Sequence, residues 1–224
     1  MKKFSLLVSI VYVCSFGFAS AQLQVMRDQA TGNPVMANPY PEVKGSQYWT
    51  EFDQGSIIFS EKDTAEEVVI AFNAFNHTLE YREGRELMAY SPGRINGFIL
   101  NAKSAPQLFR SGYNIPGIGS NRFVEILVDG DYTLVNHKYK KMIDDPGATY
   151  GSQRAKAFSN TEDLYVFKDG EAFLWKPRKK ALVGFFGDEG YSIINDLSNN
   201  YKLDLKDKND IRRLIMLMNA EKNK

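Results

Sequence analysis

Two histidines, His77 and His137, are the side chains of this chain best suited to proton transfer or metal ligation. His77 follows Asn76 where a turn is expected, and His137 stands in an expected strand beside Lys138 and Tyr139. Zinc needs further nitrogen or sulfur donors at close spacing, and the chain has no HExxH and no closely spaced histidine pair. The two histidines therefore read as structural or solvent-exposed. Nucleophilic catalysis needs a serine or cysteine activated by a base. The single cysteine, Cys14, lies in an N-terminal segment expected to be removed, and no GxSxG elbow is present. Ser91, Ser104, Ser111, Ser120 and Ser152 stand in loop-like sequence, where turn preference accounts for them. A Ser-His-Asp set is defined by geometry rather than spacing, so the hydrolase reading stays open as a minor one.

Adjacent carboxylates occur at Glu66-Glu67, Asp144-Asp145 and Asp188-Glu189. Glycosidases hold two carboxyl groups about 5–10 Å apart across a sugar. Neighbours on a strand point to opposite faces, and acidic residues at helix starts complement the dipole, so these pairs do not argue for sugar cleavage. Gly117-Ile118-Gly119 lacks the third glycine and the GK[ST] ending of phosphate loops, and residues 204–210 lack the glycine of an EF-hand loop. The sequence thus assigns no catalytic residue, no metal ligand and no cofactor.

What remains is a set of side chains suited to binding. Trp49, Phe109, Tyr113 and Tyr150 stand in or near loop sequence, and His137-Lys138-Tyr139-Lys140-Lys141 interleaves cations with an aromatic on a strand. Such interleaving suits single-stranded nucleic acid. However, 28 basic against 27 acidic residues give no global positive field, so no nucleic-acid partner is expected and the run reads as a solvated face. A second basic stretch covers 176–180, and acidic envelope polymers are the residual ligand class for both.

These residues need elements to hold them. With 43% hydrophobic and 13% aromatic residues in 224, the composition is that of a globular chain. Residues 1–21 read as a secretory signal peptide. Lys2 and Lys3 precede an apolar run over 4–18, and Ala19, Ser20 and Ala21 give a small-residue cleavage site before Gln22. That run is shorter than the ~20 residues needed to span a bilayer. Cleavage removes Cys14 together with two of the 28 cations, leaving 26 basic against 27 acidic residues. No second long apolar segment follows, so no transmembrane segment is expected after cleavage. The expectation is an exported protein, periplasmic by default, with the cell surface or medium as alternatives.

Residues 22–45, with Pro34, Pro39 and Pro41, read as an extended leader. Short aromatic and β-branched runs separated by turn residues over 46–177 predict an antiparallel β-rich body. Strands are expected over 56–60, 67–75, 78–82, 87–90 and 94–101, with 67–75 apolar on both faces and hence central. Asp129-Gly130 and Asp169-Gly170 between apolar runs predict two hairpins. Long loops are expected over 102–120, with a short strand near Leu108, and over 144–160. Beyond Pro177 the period becomes helical, with a break over 187–190 and a last helix capped by Asp207. The fold class read from this is α+β: an antiparallel β-meander or partly closed barrel followed by two or three C-terminal helices over 178–224 that pack on the sheet.

Gly45-Ser46-Gln47-Tyr48-Trp49, the strand 68–75, the 123–130 hairpin and the closing 203–218 helix together resemble a group of uncharacterised exported proteins of Bacteroidetes. The resemblance spans most of 45–218. It implies a β-rich body followed by lysine-rich helices and an envelope location, and it implies no active site. This chain departs from the group at Gly184, at 187–190 and in the 102–120 loop. The functional expectation is a non-enzymatic exported module that binds another envelope macromolecule through its sheet surface and loops. The alternative is a periplasmic carrier of an apolar small molecule, with the curved sheet as pocket and the helices as lid.

Overall fold

The computed structural model describes residues 40–83, 86–101, 106–149 and 155–222. The expected signal peptide, the leader up to residue 39 and Tyr150 lie outside the described residues. Eleven strands form one sheet: β1 Val43–Lys44, β2 Asp53–Ser60, β3 Asp63–Asn73, β4 Thr78–Glu83, β5 Glu86–Tyr90, β6 Gly97–Asn101, β7 Pro106–Arg110, β8 Val124–Val128, β9 Thr133–Asp144, β10 Lys156–Lys168 and β11 Glu171–Leu174. Two helices follow, α1 Lys179–Tyr201 and α2 Lys208–Lys222.

The order is β1-β10-β9-β8-β7-β6-β2-β3-β4-β5, with β11 on β10. It is therefore a meander only in part, because β6 returns from the β5 edge to lie beside β2. All pairs are antiparallel except the short β1–β10 pair, through which the end of the leader joins the sheet. The architecture is α+β and the sheet is not closed. It is nevertheless strongly curled. Phe72 on β3 lies 5.1 Å from Phe109 on β7, although β2 and β6 separate the two strands. Lys140 on β9 donates its backbone N–H to Ala74 O, at the end of β3, at 3.0 Å.

The Asp169-Gly170 hairpin forms as its residues dictate, with both in positive φ between the paired Lys168 and Glu171. Strand β10 is longer than its apolar stretch suggests. It runs from Lys156 because twelve residues pair with β9 through alternating polar positions. Strand β3 is buried on both faces only from Ile70 to Asn73; its first half is exposed or half-buried. The Glu66-Glu67 pair falls in this first half, where the β2–β3 register shifts and Glu67 takes φ 56°. A bulge, rather than a paired-carboxylate site, explains it.

Three apolar clusters hold the sheet. Phe72, Phe98, Phe109 and Phe123 fill the concave side of the β2–β7 half, all at 0% exposure. Val128, Leu134, Val166 and Trp175 on the same face receive α1 and α2. On the opposite face Val124, Val135, Tyr165 and Phe167 are covered by residues 111–120, whose Ile115 is fully buried. That stretch is a packed flap. Gly117-Ile118-Gly119 forms the turn that lets Ile115 O accept from Gly119 N at 2.8 Å.

The helical break expected over 187–190 localises to Gly187, whose φ of 77° interrupts α1. Asp207 caps α2, its Oδ1 accepting from the N–H groups of Asn209 and Asp210 at 2.8 and 3.0 Å. No helix among the described residues is long and apolar enough to cross a membrane.

Candidate functional site on the two faces of strand β9

Strand alternation sends Leu134, Asn136, Lys138 and Lys140 to one face of β9, and Val135, His137, Tyr139 and Lys141 to the other. The run 137–141, read as a solvated face, is not one. His137 and Lys138 are 3% and 4% exposed, and Tyr139 and Lys140 are half-buried; only Lys141 is exposed. The reason is long-range: β8 and β10 pair with β9 on either side, while the curled β3 end and the 46–49 segment pack over its middle.

On the first face Lys138 Nζ lies 3.0 Å from Glu125 Oε2 and donates to Gln107 Oε1 at 3.1 Å. The Trp49 and Phe109 rings stand 5.1 and 5.6 Å from the ammonium, near enough for cation–π attraction. Asn136 Nδ2 donates to Glu125 Oε2 at 3.2 Å and to Glu162 Oε2 at 2.6 Å, and Lys208 of α2 donates to Glu162 at 2.8 Å. Burial pushes the Glu162 carboxyl up, but the hydrogen bonds from Lys208 and Asn136 and the positive charges of Lys208 and Lys138 outweigh it, and its pKa falls below the usual range. The network runs from the aromatic core to the start of α2.

On the second face His137 stacks between His77 and Tyr139, with ring centroids 5.1 and 4.7 Å away. His77 sits in the β3–β4 turn at φ 56° and packs its edge on Phe72. The Tyr139 hydroxyl donates to Asp163 Oδ2 at 3.0 Å. His77 Nδ1 and both ring nitrogens of His137 are buried without a hydrogen-bond partner. Burial first, then the neighbouring His137 and Arg122, pulls the His77 pKa down to about 3. For His137 burial dominates, Asp163 opposes it, Arg122 adds to it, and the value falls to about 4. Both imidazoles are neutral at pH 7.

Of the binding candidates, the structure brings Trp49, Phe109 and Lys138 into one cage, and His137, Tyr139 and Lys141 into one stack, with Lys141 Nζ 5.1 Å from the Tyr139 ring. Phe109, His137 and Lys138 are buried in these assemblies and present no surface to a partner. Lys140 donates Nζ to Ser46 O at 2.6 Å, and burial lowers its pKa against the pull of Glu51. Tyr113, within the flap, packs steeply against the Phe167 ring, and Tyr150 lies outside the described residues.

Sequence reasoning missed Glu125, Asn136, Glu162 and Gln107. One signal was present: Leu134, Asn136 and Lys138 share a face, and polar residues at inward positions of a long strand need buried partners. The described residues hold no group of three His, Cys, Asp or Glu side chains arranged for a metal. A shallow open cleft of about 330 Å³ lies between the β8–β9 turn and α2, lined by Leu127, Asp129, Arg212 and Met216 among others.

The outer rim carries a different feature. Among the described residues strand β5 ends the sheet and pairs only with β4, and its Leu87 and Met88 are 42% and 40% exposed. Leu87 pairs with Arg82 of β4, and Val69, next to the Ile70 that pairs with Tyr81, is 38% exposed. Edge strands are usually blunted by charge, prolines or cover, and an exposed apolar one offers unpaired backbone groups to another chain. No protein-family model, no curated protein and no solved structure matches this chain.

Proposed function

We propose that this chain is an exported, non-enzymatic binding module of the cell envelope, which takes an extended segment of a partner protein as an added strand on β5. The observation that carries the reading is the apolar free edge of β5, with Leu87 and Met88 exposed. An extended polypeptide satisfies such an edge, since it supplies ladder hydrogen bonds and alternate side chains to both faces. The inward use of the histidines and of Lys138 supports a non-enzymatic role, because none meets solvent where a substrate would approach. Export rests on the signal-peptide pattern of residues 1–21 and on the resemblance to exported Bacteroidetes proteins, which also supports a periplasmic location. The Lys140–Ala74 hydrogen bond supports reading the curled sheet as a partly closed barrel. The carrier alternative is less favoured, since four phenylalanine rings occupy the space a ligand would need.

A photo-crosslinking residue placed at Met88 in the native host tests the edge, with one at Met216 on α2 as comparison. The expected result is an adduct from position 88 to an extended segment of one envelope protein, abolished by Leu87→Lys and absent from position 216. Adducts that survive Leu87→Lys, or that form equally from 216, would contradict the reading. Fractionation of host cells checks export separately: retention in the cytoplasm contradicts it.

A further inference from the structure

We propose that Lys138 and Asn136 join in an internal amide, a self-generated isopeptide bond within the sheet, with Glu125 as the proton carrier. The three residues stand together on one face of β8 and β9. One carboxylate oxygen, Glu125 Oε2, touches both reacting groups: Lys138 Nζ at 3.0 Å and Asn136 Nδ2 at 3.2 Å. The nucleophile and the leaving nitrogen therefore share one proton carrier. Asn136 is fully buried, and its Oδ1 has no hydrogen-bond partner, so nothing in the fold holds the carboxamide in its unreacted form through that oxygen. Glu162 Oε2 fixes the other side of the carboxamide nitrogen at 2.6 Å, and Gln107 Oε1 fixes the amine at 3.1 Å. Trp49 and Phe109 keep water from the amine.

The chemistry balances without an oxidant or a second reagent. A proton passes from the Lys138 ammonium to Glu125, which turns a buried ion pair into an amine and a carboxylic acid. The amine attacks Asn136 Cγ, and a C–N bond forms as the carbonyl π electrons move to Oδ1. Glu125 gives its proton to Nδ2 and takes the one that the attacking nitrogen sheds. The Cγ–Nδ2 bond breaks, the carbonyl re-forms, and ammonia leaves with the last proton as ammonium, restoring the Glu125 carboxylate. Holding the amine and the carboxamide on one carboxylate oxygen replaces an encounter between separate molecules, which is where such a slow reaction gains its rate.

Intact-mass measurement and tryptic mapping of the full chain, unfolded in denaturant after purification from cells, test the bond. The expected chain is lighter by one ammonia, the loss lies in the peptide containing residues 136–138, and trypsin fails to cut after Lys138. A succinimide at Asn136 also sheds ammonia but leaves Lys138 open to trypsin, so that outcome overturns the proposal, as does cyclisation confined to an N-terminal glutamine. An amide between Lys138 and Gln107, or a chain of full mass cut after Lys138, overturns it too. Glu125→Gln should restore the full mass and the tryptic cut in a chain that still folds by circular dichroism. Should that variant not fold, the wild-type map alone decides.

Discussion

His137 and Lys138 are consecutive residues of one strand, equally buried, and they solve the cost of burial in opposite ways. The histidine sits among rings with no hydrogen-bond partner for either nitrogen and stays uncharged. The lysine has a carboxylate, a carboxamide oxygen and two aromatic faces around its ammonium. A group that titrates near neutrality can shed its proton at modest cost, whereas an amine that ordinarily titrates far above pH 7 is better buried with a partner. The two faces of β9 should therefore respond differently to acid and to mutation.

The largest expected effect is on the histidine face. Both pKa values lie below the ordinary 6.5, at about 3 and about 4, so between these limits the unfolded chain binds protons that the folded chain does not. The stability is complete above pH 6.5 and falls with pH by about 1.4 kcal/mol per unit for each histidine. The fall continues until His137 titrates near pH 4 and His77 near pH 3. Urea unfolding across this range should show that slope, and His77→Phe should reduce it by about half; an unchanged slope would mean that other groups carry it. On the lysine face, Lys138→Met leaves the Glu125 carboxylate buried with no Lys138 nitrogen beside it, linked or free, and should cost about 3–5 kcal/mol, while replacing both partners with apolar residues of similar volume recovers most of the loss. Urea midpoints of the single and double variants check this, and the histidine slope should persist in both.

Much of the scaffold was legible in the sequence, because it is local. The Asp169-Gly170 turn, the Asp207 cap and the alternation of the strands follow from residue types a few positions apart. The polar clusters were not legible. His77 and His137 are brought together by the curl of the sheet, and Gln107, Glu125 and Glu162 come to Lys138 from three other strands. A run of cations on a strand reads as solvated until the strands beside it and the segments over it are known. Residues 106–120 form the short strand and loop that their glycines and prolines signal, but those residues do not signal that Ile115 and Tyr113 close over a core.

Smaller changes refine the contrast. A Cβ at Gly97 would run into the Phe109 carbonyl oxygen, so Gly97→Ala should cost about 1–3 kcal/mol and disturb the ring that walls Lys138. Its signature is a lowered urea midpoint with the acid slope retained. Asp207→Ala removes the cap next to Lys208, which anchors the outer end of the same network through Glu162. It should cost about 1 kcal/mol by thermal unfolding, again without changing the acid slope.

Proton NMR titration of the two histidine rings in the folded chain tests most directly whether the chemistry-bearing side chains are sealed inside. Both imidazoles should hold their neutral chemical shifts from pH 8 down to about pH 4 and change only together with acid unfolding or below it. Titration of either ring near 6.5 in the folded protein would show a solvated histidine and contradict the inward packing of the two imidazoles.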